Sequence, residues 1–237
     1  MGLTVGNKIE LVKLSQIIQN DKNKKVFQSK VCDVLPKNML QIAMPIYEGK
    51  IVPLEINDKY SACFYTDKGL MQCNVLVTSR YRSGNLFFLE VLMLGKLEKV
   101  QRREFYRYKC IMDGKIRVVP DEEFDAEGLG TYIPPENYVW ENVKILDISG
   151  GGAKIVNKVF LEKNEVIKLN FIINIIDDVA PMSLFARILS NNGVEGHEGL
   201  YEQRLEFMKI HQEDRDKIIK FIFESERHNR AKEAGLS

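Results

Sequence analysis

Two short stretches hold the residue types on which chemistry could rest: Gln101-Arg102-Arg103-Glu104-Phe105-Tyr106-Arg107 and, further on, Asp147-Ile148-Ser149-Gly150-Gly151-Gly152. Arginine carries a permanent charge and a planar fork of donors, which grips phosphate oxygens in pairs and also the O6/N7 edge of guanine. Arg102, Arg103 and Arg107 therefore suit an anionic, guanine-bearing ligand. Asp147 can accept from a guanine N1/N2 edge, Ser149 can donate or accept, and Gly150, Gly151 and Gly152 let backbone N–H groups come close to a ligand. Neighbouring arginines hold such a carboxylate ionised. A plainer reading stands beside this one: arginines four apart form a solvated helix face, and the glycines form a hairpin turn with an Asx cap. Each motif alone is short enough to arise by chance, so their order and setting carry the weight.

The elements that must position these residues read mainly as strands. From Lys8 to Gly95, short alternating runs such as Leu40-Ile42-Met44, Tyr60-Ala62-Phe64 and Met71-Cys73-Val75-Val77 are separated by turn residues at Glu48-Gly49-Lys50, Asp67-Lys68-Gly69 and Ser83-Gly84-Asn85, the pattern of a small antiparallel barrel. The charge-rich Lys96 to Val100 reads as an exposed connector. It divides an N-terminal domain, residues 1–98, from a second, residues 99–237, so that a ligand held by the arginines would lie at the seam. Phe105 to Val119 reads as a strand pair broken near Asp113-Gly114, and Pro120 to Pro135 as a long acidic loop. Trp140 to Ile148 leads as a strand into the glycines. Ala153 to Val156 beyond them is strand-like, where a phosphate loop or dinucleotide turn would open a helix. Val166–Ile176, Ser183–Leu189 and Leu200–Phe207 give three further strands. The one convincing helix runs from Glu213 to about Asn229, with Ile218, Ile219, Ile222 and Phe223 as an apolar stripe for the barrel mouth. The expected fold class is all-β: two small antiparallel β-barrels with a C-terminal α-helix.

Composition excludes several classes. Lys+Arg of 34 against Asp+Glu of 33 leaves a net charge of +1, so no global field draws in duplex DNA or an anionic membrane. The N-terminus lacks the apolar core of a secretory signal, and the richest apolar run, Leu169 to Ile176, is too short to insert into a bilayer; a cytoplasmic protein is expected. Cysteines 32, 63, 73 and 110 fit neither a redox pair nor a zinc knuckle and read as small core residues. His197, His211 and His228 have no ligand spacing. Ser149 has no recognisable base, so neither a metal site nor an enzyme is expected.

The two motifs together resemble the PilZ domain, whose hallmarks are RxxxR, here Arg103 and Arg107, and D/N-x-S-x-x-G, here Asp147, Ser149 and Gly152. Gln101 and Arg102 resemble the approach to RxxxR in the two-domain flagellar brake (YcgR-like) branch. Gln203 to Phe207 resembles the closing strand of PilZ barrels, and the first hundred residues resemble the branch's companion domain. The Pro120 to Tyr138 segment departs from the pattern. The resemblance implies a non-enzymatic receptor for cyclic di-GMP, without cofactor or metal. Its ligand residues would be Gln101, Arg102, Arg103, Arg107, Asp147, Ser149, Gly151 and Gly152. It further implies an inter-domain rearrangement on binding and a flagellar motor protein, stator or rotor, as partner at the basal body. An arginine in the place of Arg102 goes, in that family, with capture of a stacked ligand pair. The alternative is a single-stranded nucleic-acid binder using Tyr106 and Tyr108 to stack bases. Arginines confined to one heptapeptide of a neutral chain speak against it.

Overall fold

Alternation decides which face of each strand is buried. A computed structural model of the chain describes residues 2–21, 23–126, 138–176, 178–233 and 235. They fall into two compact units, Met1–Arg102 and Arg103–Ser237.

The first unit comprises β1 (Lys8–Lys13), the short helix α1 (Leu14–Ile18), β2 (Val26–Leu35), β3 (Met39–Ala43), β4 (Ile46–Tyr47), β5 (Lys50–Ile51), β6 (Lys59–Thr66), β7 (Gly69–Ser83), β8 (Leu86–Met93) and β9 (Glu98–Lys99). The ladder runs β1-β6-β7-β8-β3-β2, and β2 pairs back onto β1, so it returns on itself. Leu40, Ile42, Phe64, Val75, Val77 and Leu89 fill its interior completely, each contributing roughly 1.5–3 kcal/mol by leaving water. The alternation expected for Tyr60-Ala62-Phe64 and Cys73-Val75-Val77 is the one observed. Two expectations need correction. Helix α1 interrupts the strands, and the supposed connector is laid against the sheet: Glu98 and Lys99 pair with Gln72 and Met71, and Val100 N donates to the Leu70 carbonyl at 2.9 Å.

The second unit comprises β10 (Tyr108–Val118), the short helix α2 (Asp121–Asp125), β11 (Glu141–Ser149), β12 (Gly152–Asn157), β13 (Val166–Ile175), β14 (Asp178–Val194), β15 (His197–Met208) and α3 (Gln212–Glu233). Six strands close a barrel in the order β10-β11-β12-β15-β14-β13. β10 is a single strand, not a broken pair. Gly114 sits inside it because the wall is tight there: a Cβ would lie 3.1 Å from the Asn170 carbonyl and 3.2 Å from Val143 Cγ2. The expected Pro120–Pro135 loop opens instead with α2, whose buried Glu123 forms a two-bonded ion pair with Arg117 and accepts from the Tyr138 hydroxyl at 2.8 Å. Hydrogen bonds from Arg117 hold the Glu123 carboxyl below its usual range despite burial. The rest of that expectation, residues 127–135, lies outside the described residues.

Helix α3 has acidic residues in its first turn and Arg230 and Lys232 in its last, as the helix dipole favours. Its buried stripe is Ile218, Phe221 and Ile222, which join the barrel core, while Phe223 is exposed. The sequence-based stripe chose the wrong phenylalanine. Positions 218, 221 and 222 share one helical face, whereas 223 lies roughly 140° round from 218 at about 100° per residue. Phe221 instead meets Tyr108 edge-on, ring centroids 6.0 Å apart.

Candidate functional site

Two β-bulges create the site. Side chains alternate along a strand, so Ile145, Asp147 and Ser149 would all share one face of a regular β11. Ile145 is in the core. The ladder to β12, however, passes from Ile145–Ile155 directly to Asp147–Lys154, leaving Leu146 as an extra residue. That insertion reverses the phase. Ile148 is fully buried, while Asp147 and Ser149 line a hollow on the outer wall, Ser149 largely covered beneath the turn. A second bulge, between Ile188 and Ser190 of β14, places Ser190 opposite Arg204 of β15.

Between these bulges the barrel's outer wall carries a hollow of about 480 Å³, within the roughly 300–1,000 Å³ typical of ligand clefts. Its wall is formed by Asp147 and Ser149 of β11, Gly152 and Lys154 of β12, Arg204 and Glu206 of β15, and Leu189 and Ser190 of β14. The segment before β10 adds Arg103, Glu104, Phe105 and Arg107, and the β11–β12 turn adds Gly151. Thus six of the eight sequence-predicted residues, Arg103, Arg107, Asp147, Ser149, Gly151 and Gly152, line one hollow. Gln101 and Arg102 do not line it. They close the first unit, where Arg102 Nη1 donates to Glu10 at 2.6 Å and Nη2 to the Tyr65 hydroxyl. Burial alone would raise the Glu10 pKa, but hydrogen bonds from Arg102 and Tyr65 hold it below its usual value.

The charges of the hollow suit an anion held at polar edges. Arg103, Arg107, Lys154 and Arg204 outnumber Glu104, Asp147 and Glu206 by one. Lys154 is paired with Glu202 at 3.1 Å. Arg107, Asp147 and Arg204 make no side-chain hydrogen bond or ion pair with other described residues. Lys154, Arg204 and Glu206 were missed by the sequence reading. The sequence shows only that Arg204 and Glu206, alternating with the apolar Leu205 and Phe207 on the closing strand, face outward.

Packing within the turn already requires the glycines. None of the three has a left-handed φ. A Cβ on Gly152 would lie 2.1 Å from the Leu205 carbonyl oxygen, and on Gly150 or Gly151 it would strike the Phe105 ring at 2.7 or 3.0 Å. β15 and Phe105 thus give their own reason for glycine at these positions, and Gly151 and Gly152 also line the hollow. Ser149 fixes the same turn: its hydroxyl donates to the Gly152 carbonyl at 3.1 Å and accepts from Gly151 N at 3.4 Å.

The tyrosines offered for base stacking do not line the hollow. Tyr106 donates to Glu226 at 2.7 Å, and Tyr108 accepts from Asn229 at 3.0 Å. Of the four cysteines, Cys73 is buried and the others half-buried, and all are free; the core role expected for them fits Cys73 best. Burial pushes the thiols of Cys73 and Cys110 up to about 11. Among the described residues, no cluster of His, Cys, Asp or Glu could hold a metal ion, and no helix is long and apolar enough to cross a membrane.

A family profile for the PilZ domain matches residues 101–224, a little over half of the chain. The chain belongs to the PilZ family. A second profile, described as the flagellar protein YcgR, matches residues 4–91 of this PilZ protein. Among curated proteins a sequence comparison finds no match. The solved structure of the Bacillus subtilis inhibitor of motility (MotI/DgrA) is similar at a TM-score of 0.72. The two chains are 16% identical, and the likeness covers 96% of this chain and 100% of that one. It speaks for the shared fold. Escherichia coli YcgR in complex with c-di-GMP aligns over 98% of this chain and 89% of its own at 12% identity and a TM-score of 0.48.

Proposed function

We propose that this PilZ protein is a cyclic di-GMP receptor without enzymatic activity, taking the nucleotide into the hollow on the outer wall of its second barrel. The observation that carries the reading is the meeting of Arg103 and Arg107 with Asp147, Ser149 and Gly152 in one hollow, although the two motifs are far apart in sequence. Arg103, Arg107 and Arg204 supply forked donors for phosphate oxygens and guanine O6/N7 edges. Asp147 accepts from guanine N1/N2, and Ser149 keeps the turn in shape. Calorimetric titration with cyclic di-GMP, GTP and cyclic di-AMP tests this: saturable binding of the first alone is expected, and equal binding of GTP would overturn it.

Motility is the proposed output, through contact with a flagellar stator or rotor protein. The YcgR profile over the first unit and the fold shared with an inhibitor of motility support this reading. Gln101 and Arg102 end the first unit and Arg103 begins the second, so a ligand that recruits all three engages both units. Arg102 must then leave Glu10 and Tyr65. Such recruitment would let a second, stacked nucleotide bind and would change how the units are disposed, since a ligand shifts an equilibrium only by contacts that differ between states. A fitted ratio of one nucleotide per chain rejects the stacked pair. Identical inter-unit distance distributions with and without saturating nucleotide reject the rearrangement.

A further inference from the structure

We propose that Arg215 of α3 is a positioning residue of the nucleotide site, fastening the aromatic side chain between the two motif arginines to the glycine turn of the other motif. The inference rests on the reading of the hollow as a cyclic di-GMP site. Arg215 does not line that hollow, so its influence passes through the groups it holds.

Phe105 stands midway between Arg103 and Arg107, and wherever its ring is fixed, the two arginines are aimed. One edge of the ring lies against Gly150 and the opposite edge against Gly151, so the ring spans the turn. The Arg215 guanidinium carbon is 5.0 Å from the ring centroid, a cation–π distance, and its Nη1 donates to the Gly150 carbonyl at 2.9 Å. One planar group thereby grips both halves of the site. The next carbonyl of the turn, that of Gly151, accepts from Phe207 N at 3.0 Å, so Arg215 secures the part of the turn that β15 does not reach.

A second tie lies along the same helix. Tyr106 donates to Glu226, and Glu226 is eleven residues beyond Arg215, about three turns at 3.6 residues per turn. Both ties therefore lie along one stripe of α3, which borders the Ile218, Phe221 and Ile222 face that enters the barrel core; Ile222 stands only about 20° from Arg215 at about 100° per residue. The helix that closes the barrel also sets the stance of the arginine segment.

The test is calorimetry on the full chain with cyclic di-GMP, comparing wild type, Arg215→Met, Arg215→Lys, Phe105→Leu and the Arg215→Met/Phe105→Leu double variant. Arg215→Met is expected to weaken binding about tenfold, equivalent to about 1.4 kcal/mol. Arg215→Lys, which keeps the charge without the planar fork, is expected to be intermediate. In the Phe105→Leu background, Arg215→Met should have little further effect, as residues acting through one contact are non-additive. The amide signals of Gly150 and Gly151 should also shift in ligand-free Arg215→Met, a readout that needs no nucleotide. Unchanged affinity in Arg215→Met, losses that multiply in the double variant, or a loss that vanishes at high salt as a long-range charge effect would each overturns the proposal. Should Arg215→Met lose its cooperative melt, Arg215→Lys decides: wild-type affinity overturns the proposal. Wild type that binds no cyclic di-GMP overturns the receptor reading instead, while the amide shifts still report on the tie.

Discussion

The two β units treat polar side chains differently. In the first, they answer one another: Lys13 meets Asp58, Gln72 meets Ser61, Ser79 meets Glu90, and Arg102 meets Glu10 and Tyr65. In the second, one stretch of wall leaves Arg107, Asp147 and Arg204 without such partners among the described residues. Both units have bulges, at Val31/Asp33 and Val77/Ser79 in the first and beside the hollow in the second. A closed antiparallel ladder therefore does not by itself make a site. What distinguishes the second wall is that Arg107, Asp147 and Arg204 meet at one hollow without a side-chain partner among the described residues, Asp147 turned outward by the bulge in β11.

The strongest way to break this contrast is Arg107→Ala. Its cyclic di-GMP affinity should fall by about 2–5 kcal/mol, as when one side of a buried charge pair is truncated, a factor of roughly thirty to several thousand. A loss below tenfold in a folded variant would mean that the unpaired arginine is not there for the ligand. Next in size is Gly152→Ala. Its methyl would meet backbone rather than a movable side chain, so stability should drop by about 1–3 kcal/mol. Urea denaturation measures this, and an unchanged midpoint would contradict the crowding.

Asp147→Ala should weaken nucleotide binding by roughly 1.5–3 kcal/mol, the range for a hydrogen bond to a charged group. Cys110→Ser, although electrostatically coupled to Asp147, should leave binding unchanged. Equal affinities for wild type and Asp147→Ala would remove the carboxylate from the site. The smallest effect belongs to the first unit. Glu10→Gln should cost less than about 1 kcal/mol at neutral pH, since the pair is partly solvated. The Glu10 pKa is lowered in the folded state, so its contribution is present above the ordinary carboxylate range and lost as pH falls through the folded value. The gap between wild-type and Glu10→Gln melting temperatures should therefore narrow on acidification. A gap that widens would reverse the assigned sign.

Much of this was legible in the sequence because alternation and residue type are local properties. Tyr60-Ala62-Phe64 announces its buried face, and the two motifs announce their chemistry. What escaped depends on register. Leu146 looks like any strand residue, and only its lack of a partner on β12 shows that it reverses the faces after it. Arg204 could not be assigned to the hollow without knowing that β15 lies beside β12. The packing need for the glycines was not legible, because the Leu205 carbonyl and the Phe105 ring that crowd them are distant in sequence or on the other side of β10. Gly114 misled in the opposite sense, as a turn signal inside a continuous strand.

The extra residue in β11 has a further consequence for how this site can be lost. Substitution at Leu146 alters a side chain but keeps the count of residues, so the strand's parity survives it. Deleting Leu146 removes only the unpaired residue: Asp147 would then follow Ile145 in regular alternation, and Asp147 and Ser149 would still face outward with Ile148 inward. The lesion that would reverse this wall is instead one that gives Leu146 a ladder partner of its own, which would send Asp147 and Ser149 inward and Ile148 to solvent.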